Sequence, residues 1–109
     1  MEVNVQMNGG AYLLDLSGKL DGVGEPVLQK YIDSIFEGEE GKESKISAAS
    51  ICINFQEVDF VSSAGLRVLL RTAKIAEKRG WDLTLKNLND SVRMVLDMTG
   101  FMRIMKIEE

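Results

Sequence analysis

The segment Ile51-Cys52-Ile53-Asn54-Phe55 constrains the fold of this chain more than any other. It is short, almost continuously apolar and rich in β-branched residues, the pattern of a central strand covered on both faces. Such a strand needs a sheet beside it and helices over it, and the flanking sequence supplies both. Val3, Val5 and Met7 alternate with polar residues, Asn8-Gly9-Gly10 is a turn signal, and Ala11 to Leu16 is apolar again, so the chain opens with a hairpin. Pro26 suits the first position of a helix, and Val27, Leu28, Tyr31, Ile32 and Ile35 share one face, which predicts a helix from Pro26 to about Phe36. Leu66, Leu69, Leu70, Ala73 and Ala76 share the inward face of a second helix that stops at Gly80. Trp81 to Leu85 reads as the next strand. Asn89 or Asp90 can cap a third helix with Val92, Val95 and Leu96 inward, closed by Gly100. The tail from Met102 to Ile107 alternates weakly, as a last edge strand would. The order β-β-α-β-α-β-α-β predicts an α/β fold, a small mixed β-sheet layered with α-helices.

A chain of 109 residues with 45% hydrophobic and 28% charged side chains is expected to form one domain around one core, residues 1–109. From Glu37 to Ser50 it is polar and mixed in charge, and neither side is long enough to fold alone, so 37–50 reads as a mobile surface loop rather than a boundary. Thirteen basic residues against 17 acidic leave a net charge of −4, which argues against nucleic acid and anionic membrane as partners. There is no histidine. That absence removes the commonest general base, any serine or cysteine nucleophile assisted by imidazole, and most zinc sites. No cofactor or metal is expected. The single cysteine, Cys52, lies in an apolar run and reads as a buried small hydrophobe in a reducing compartment. No stretch is long enough to span a bilayer, and the acidic start Met1-Glu2-Val3-Asn4 lacks the features of a signal peptide, so a cytoplasmic location is expected.

The informative constellation is Val58-Asp59-Phe60-Val61-Ser62-Ser63-Ala64-Gly65-Leu66-Arg67-Val68-Leu69-Leu70: a strand end, a tight turn with two hydroxyls, and a helix. Either serine can accept the orphan amide hydrogens of the first helical turn, so the plainest reading is a cap. The same amides and the positive end of the helix dipole also suit a phosphoserine.

Val61-Ser62-Ser63-Ala64-Gly65-Leu66-Arg67-Val68-Leu69-Leu70 resembles the signature of the STAS domains, specifically the stand-alone bacterial anti-sigma-factor antagonists. Leu16-Ser17-Gly18-Lys19-Leu20-Asp21 resembles the family's early strand followed by Gly-x-Leu-Asp, and Leu96-Asp97-Met98-Thr99-Gly100-Phe101 its late helix end. The resemblance implies a regulatory binding module and not an enzyme. Such proteins bind a serine kinase that is itself an anti-sigma factor, so that the sigma factor is released. The kinase phosphorylates one serine at the start of the central helix and abolishes binding, and a metal-dependent phosphatase of the PP2C type reverses this. By the motif Ser63 is the acceptor, with Ser62 the second choice because it falls where many members have aspartate. Asp21 matches the acidic residue that lies near the phosphorylation site, and Gly22-Val23-Gly24 replaces a turn more often rich in serine and threonine. The implied partner surface comprises Asp21, Ser62, Ser63, Ala64, Gly65, Arg67, Val68 and Arg71.

Arg67, Arg71, Lys74 and Lys78 recur at spacings of four, three and four, forming one basic stripe, with Val68 and Ile75 beside it pointing away from the core face. A charge stripe is ordinarily a solvated helix face, and that reading is preferred here, although the two apolar neighbours add slightly to the case for a partner role. The six methionines, Met94, Met98, Met102 and Met105 among them, are expected to fill gaps in the core, and Trp81 to pack at a strand start. Two alternatives stay open: a STAS subunit of another signalling assembly, and a small hydrolase using Ser63. The second is disfavoured because no imidazole can activate the serine and no Gly-x-Ser-x-Gly elbow is present.

Overall fold

The computed structural model describes residues 1–39 and 50–108, without the side chains of Glu39, Phe101 and Met102. Strand β1 (Glu2–Asn8) turns directly into β2 (Ala11–Ser17), followed by α1 (Gly24–Glu39), β3 (Ser50–Glu57), α2 (Ser63–Arg79), β4 (Asp82–Lys86), α3 (Asp90–Thr99), a 3-10 turn (Phe101–Ile104) and β5 (Lys106–Glu108). The five strands lie in sequence order in one sheet. β1 and β2 are antiparallel, while β2, β3, β4 and β5 are parallel neighbours, so the mixed sheet and its element order are as the periodicity predicts. Gly9 and Gly10 both have positive φ, 58° and 89°. This is the two-residue hairpin whose twist matches the strands, and side chains other than glycine, asparagine and aspartate enter it at a cost. The helix limits differ slightly from expectation. Glu37, Gly38 and Glu39 extend α1, Ser50 opens β3, and the middle of the polar loop, 40–49, lies outside the described residues.

Burial alternates along β3: Ile51, Ile53 and Phe55 are buried, whereas Cys52 and Asn54 are only half-buried. The expectation of a strand covered on both faces is therefore corrected. Leu14, Leu16, Ile51, Ile53, Phe55, Leu83 and Leu85 all project to the face carrying the helices. On the opposite face the cross-strand row Leu13, Cys52, Thr84 remains part-exposed among the described residues, and Asn54 bonds there to Asp15 and Asn87, both at 2.9 Å. Among the described residues the helices thus lie on one side of the sheet, making two layers. Cys52 follows the same correction, and its partial burial pushes the thiol pKa up.

Against the covered face pack Leu28, Ile32, Ile35 and Phe36 of α1, Val68, Leu69, Ala73 and Ala76 of α2, and Val92 and Leu96 of α3. Each buried leucine, isoleucine or phenylalanine contributes about 1.5–3 kcal/mol, so this layer supplies the main stabilisation. α1 is rotated from its predicted face: Tyr31 is 40% exposed and Val27 half-buried, while Phe36 is buried. Val27 and Tyr31 border a groove with Met1 and with Val3 of the edge strand β1. α2 is rotated too, so that Thr72 is fully buried; its hydroxyl donates to the Val68 carbonyl at 2.7 Å, which satisfies the one polar atom on that face. Trp81 packs as expected, stacked on Tyr12 with ring centroids 6.2 Å apart and tilted by 46° against Phe36 at 5.0 Å. The methionine expectation holds for buried Met105 and not for Met7, Met94 and Met98, which are exposed.

Candidate functional site

The serine turn sits where β3 gives way to α2, and its geometry is set by the loop between β2 and α1. Three backbone bonds stitch the two loops together. The Gly18 amide donates to the Glu57 carbonyl at 3.1 Å, Leu20 to Phe60 at 3.0 Å, and Ser62 to Leu20 at 2.9 Å. Leu20 and Val61 form an isolated parallel bridge, and their side chains, with Val58, are buried. Apolar anchors below and hydrogen bonds above thus fix two loops that would otherwise move independently.

Gly65, in the first turn of α2, is buried, and a Cβ there would run into the backbone carbonyl and side chain of Leu20. The glycine lets the helix N-terminus approach the β2–α1 loop at Leu20 this closely. The expectation that Gly65 itself touches a partner is corrected: it is an internal contact. Val68 is corrected in the same way. It is 1% exposed and part of the core, and Ile75 is half-buried against that core. The inward face of α2 runs through Gly65, Val68, Leu69, Thr72, Ala73 and Ala76, one residue round from the predicted face. Arg67, Arg71, Lys74 and Lys78 remain exposed as the basic stripe.

The two serines separate cleanly. Ser62 is the cap: its backbone is extended (φ −88°, ψ 176°), its Oγ accepts from the Gly65 amide at 3.3 Å, and its carbonyl accepts from Leu66 at 2.9 Å. Ser63, the first helical residue, is exposed, and among the described residues no hydrogen bond engages its hydroxyl. Ala64 is half-buried beside it.

Asp21 is a cap as well. Its Oδ1 accepts from the amides of Val23 and Gly24, each at 3.0 Å, and its carbonyl accepts from Glu25 at 2.7 Å. The Gly24 and Val23 amides hold its carboxyl below the usual aspartate range. Asp21 directly follows the residue whose carbonyl bonds Ser62, so the acidic loop and the serine turn form one surface. That surface carries two apolar side chains the sequence reading passed over: Val23, 77% exposed, and Phe60, 49% exposed. The signal was present, since Val23 stands between two glycines and Phe60 follows Asp59 just ahead of the serines. Among the described residues no cluster of ligating side chains could hold a metal ion, and no helix is long and apolar enough to cross a membrane. The arrangement offers an exposed hydroxyl in the first turn of a helix, beside backbone amides and the positive end of the helix dipole, a position that suits an added phosphate.

The family model of the STAS domain matches residues 2–109. The chain belongs to the STAS domain family. Over 107 residues this STAS domain is 28% identical to the anti-sigma-B factor antagonist of Bacillus subtilis, a match spanning 98% of this chain and 90% of that protein. Its fold is that of the anti-sigma factor antagonist SpoIIAA in its unphosphorylated form, with a TM-score of 0.74 at 19% identity over 99% of this chain and 88% of the other. The phosphorylated form of the Bacillus cell fate determinant SpoIIAA superposes equally well, with a TM-score of 0.72 at 21% identity over 97% and 90%.

Proposed function

We propose that this STAS domain is an anti-sigma-factor antagonist acting in the cytoplasm: it binds a serine kinase that is itself an anti-sigma factor, frees the sigma factor, and is switched off by phosphorylation of Ser63. A PP2C-type phosphatase restores it. The observation that carries the reading is the division of labour in the turn, where the Ser62 hydroxyl is committed to capping while that of its neighbour Ser63 is exposed and unengaged. The antagonist names of the Bacillus subtilis relative and of the unphosphorylated SpoIIAA structure support it. The partner surface is then Asp21, Ser62, Ser63 and Ala64 with Arg67 and Arg71 of the basic stripe, flanked by Val23 and Phe60. Gly65 and Val68 shape it from within.

A phosphate adds about −1.5 to −2 charges at Ser63, where free amides and the helix dipole tolerate it in the folded chain. At an interface the same group must be desolvated, at a cost of several kcal/mol if the partner offers no matching cation. Turning a complex from 99:1 to 1:99 requires about 5.5 kcal/mol, a scale that an uncompensated dianion reaches. The test is incubation with a purified anti-sigma kinase from the same genome and ATP. One phosphate at Ser63 is expected, with Ser63→Ala refractory but still binding, Ser62→Ala still modified, and Ser63→Glu folded but deficient in binding. Phosphate found on Ser62 by mass spectrometry, or undiminished binding by the phosphorylated chain, overturns the proposal.

A further inference from the structure

Resting on the reading of Ser63 as the modified residue, we infer that Arg67 is an internal clamp for the Ser63 phosphate, so that modification withdraws a cation from the partner surface as well as adding a dianion to it. Ser63 and Arg67 stand four residues apart on the exposed side of α2. At that spacing helical side chains are neighbours, with Cβ atoms about 5–6 Å apart, and an acid N-terminal to a base is the favourable order. Among the described residues no ion pair or hydrogen bond engages Arg67, so nothing has to be broken for it to turn toward Ser63.

The donors on the other side of the phosphate are in place as well. Ser62 takes up the Gly65 amide with its hydroxyl and the Leu66 amide with its carbonyl, while the Ser63 and Ala64 amides, in the first turn, have no intrahelical acceptor. A phosphate on the Ser63 oxygen meets these amides at its base and the guanidinium one turn along. The planar fork of arginine presents two parallel N–H groups to phosphate oxygens, which lysine cannot do. The choice of cation is thus matched to the modification.

The charge distribution says what the clamp does. α2 carries five basic residues, Arg67, Arg71, Lys74, Lys78 and Arg79, against one acidic, Glu77, on a chain whose net charge is −4. Arg67 is the member of this basic face nearest the serines. Unmodified, it is available to acidic groups of the kinase. Modified, it is satisfied within its own helix, and the stripe loses its leading cation exactly where the dianion has appeared. The nearby loops contribute Asp21 and Asp59, which oppose a second negative charge, and Lys19, which favours it. The clamp therefore has to be read as a difference between variants that share these groups.

The test uses the full chain with phosphoserine incorporated genetically at position 63, which makes it independent of any kinase. Phosphorus NMR follows the second ionisation of the phosphate in the parent, Arg67→Gln, Arg67→Lys and Arg71→Gln. Arg67→Gln is expected to raise the midpoint by about half a pH unit, the scale of one partly exposed charge pair. Arg67→Lys should recover part of that shift, and Arg71→Gln, a further turn away, should leave the midpoint near the parent's. Circular dichroism checks that each variant is folded, as exposed positions lead one to expect. Equal midpoints in the parent and Arg67→Gln overturn the clamp while leaving the Ser63 reading intact. Kinase-dependent phosphate on another serine overturns the Ser63 reading, and with it the role of the clamp, whatever the titration shows.

Discussion

The backbone carbonyl of Leu20 occupies the space that a Cβ on Gly65 would need, and the same carbonyl accepts the Ser62 amide at 2.9 Å. One atom thus sets both how closely α2 approaches the β2–α1 loop and where the serine turn begins. Gly65→Ala should therefore be destabilising although alanine is the better helix former, because backbone cannot give way as a flexible side chain can. A loss of about 1–3 kcal/mol is expected from such overpacking, lowering the thermal midpoint by several degrees or more. Unfolding followed by circular dichroism decides the matter. An unchanged or raised midpoint would mean that the contact is not as tight as the geometry requires.

The cap and the acceptor should separate in stability measurements as well as in modification. Ser62→Ala removes the acceptor of the Gly65 amide and should cost about 1 kcal/mol. Ser63→Ala, at an exposed hydroxyl without a partner, should lie within about 0.5 kcal/mol of the parent. Urea unfolding of the two variants side by side measures both. If Ser63→Ala were the more damaging, the assignment of Ser62 as the cap would be wrong.

Asp21 makes the stability of the α1 start depend on pH. Its folded pKa lies below the ordinary aspartate value because amides of Gly24 and Val23 bond the charged form. The contribution is therefore complete above the unfolded pKa and is lost as pH falls through the folded one. Asp21→Asn keeps an acceptor for those amides but does not titrate. The melting temperature of the parent relative to Asp21→Asn should hold steady near neutrality and fall as the pH is taken below about 4. A gap that stays constant from neutral to strongly acidic pH would show that the carboxylate is not held by these amides.

The local signals in the chain were legible because each is written within a turn or two. The hairpin glycines Gly9 and Gly10, the cap at Asn89, the helix ends at Gly80 and Gly100, and the apolar strand Ile51 to Phe55 all lie where periodicity and capping chemistry put them. The serine turn was visible too, and the order of its residues was enough for the family.

What the sequence by itself determined is the succession of elements, the mixed sheet and the family to which the chain belongs, since backbone preferences and hydrophobic period act over a few neighbouring residues. Only the tertiary structure decided which side of each element is inside. An apolar stripe on α2 is compatible with faces one residue apart, and packing against the sheet chose the one that buries Val68 and Thr72 and leaves Arg67 beside Ser63 in solvent. It also decided that Ser62 caps while Ser63 stays exposed. Adjacent serines are equivalent to a local rule, and it is the Leu20 carbonyl, from a distant part of the chain, that draws the Ser62 amide inward and sets the helix to begin at the next residue.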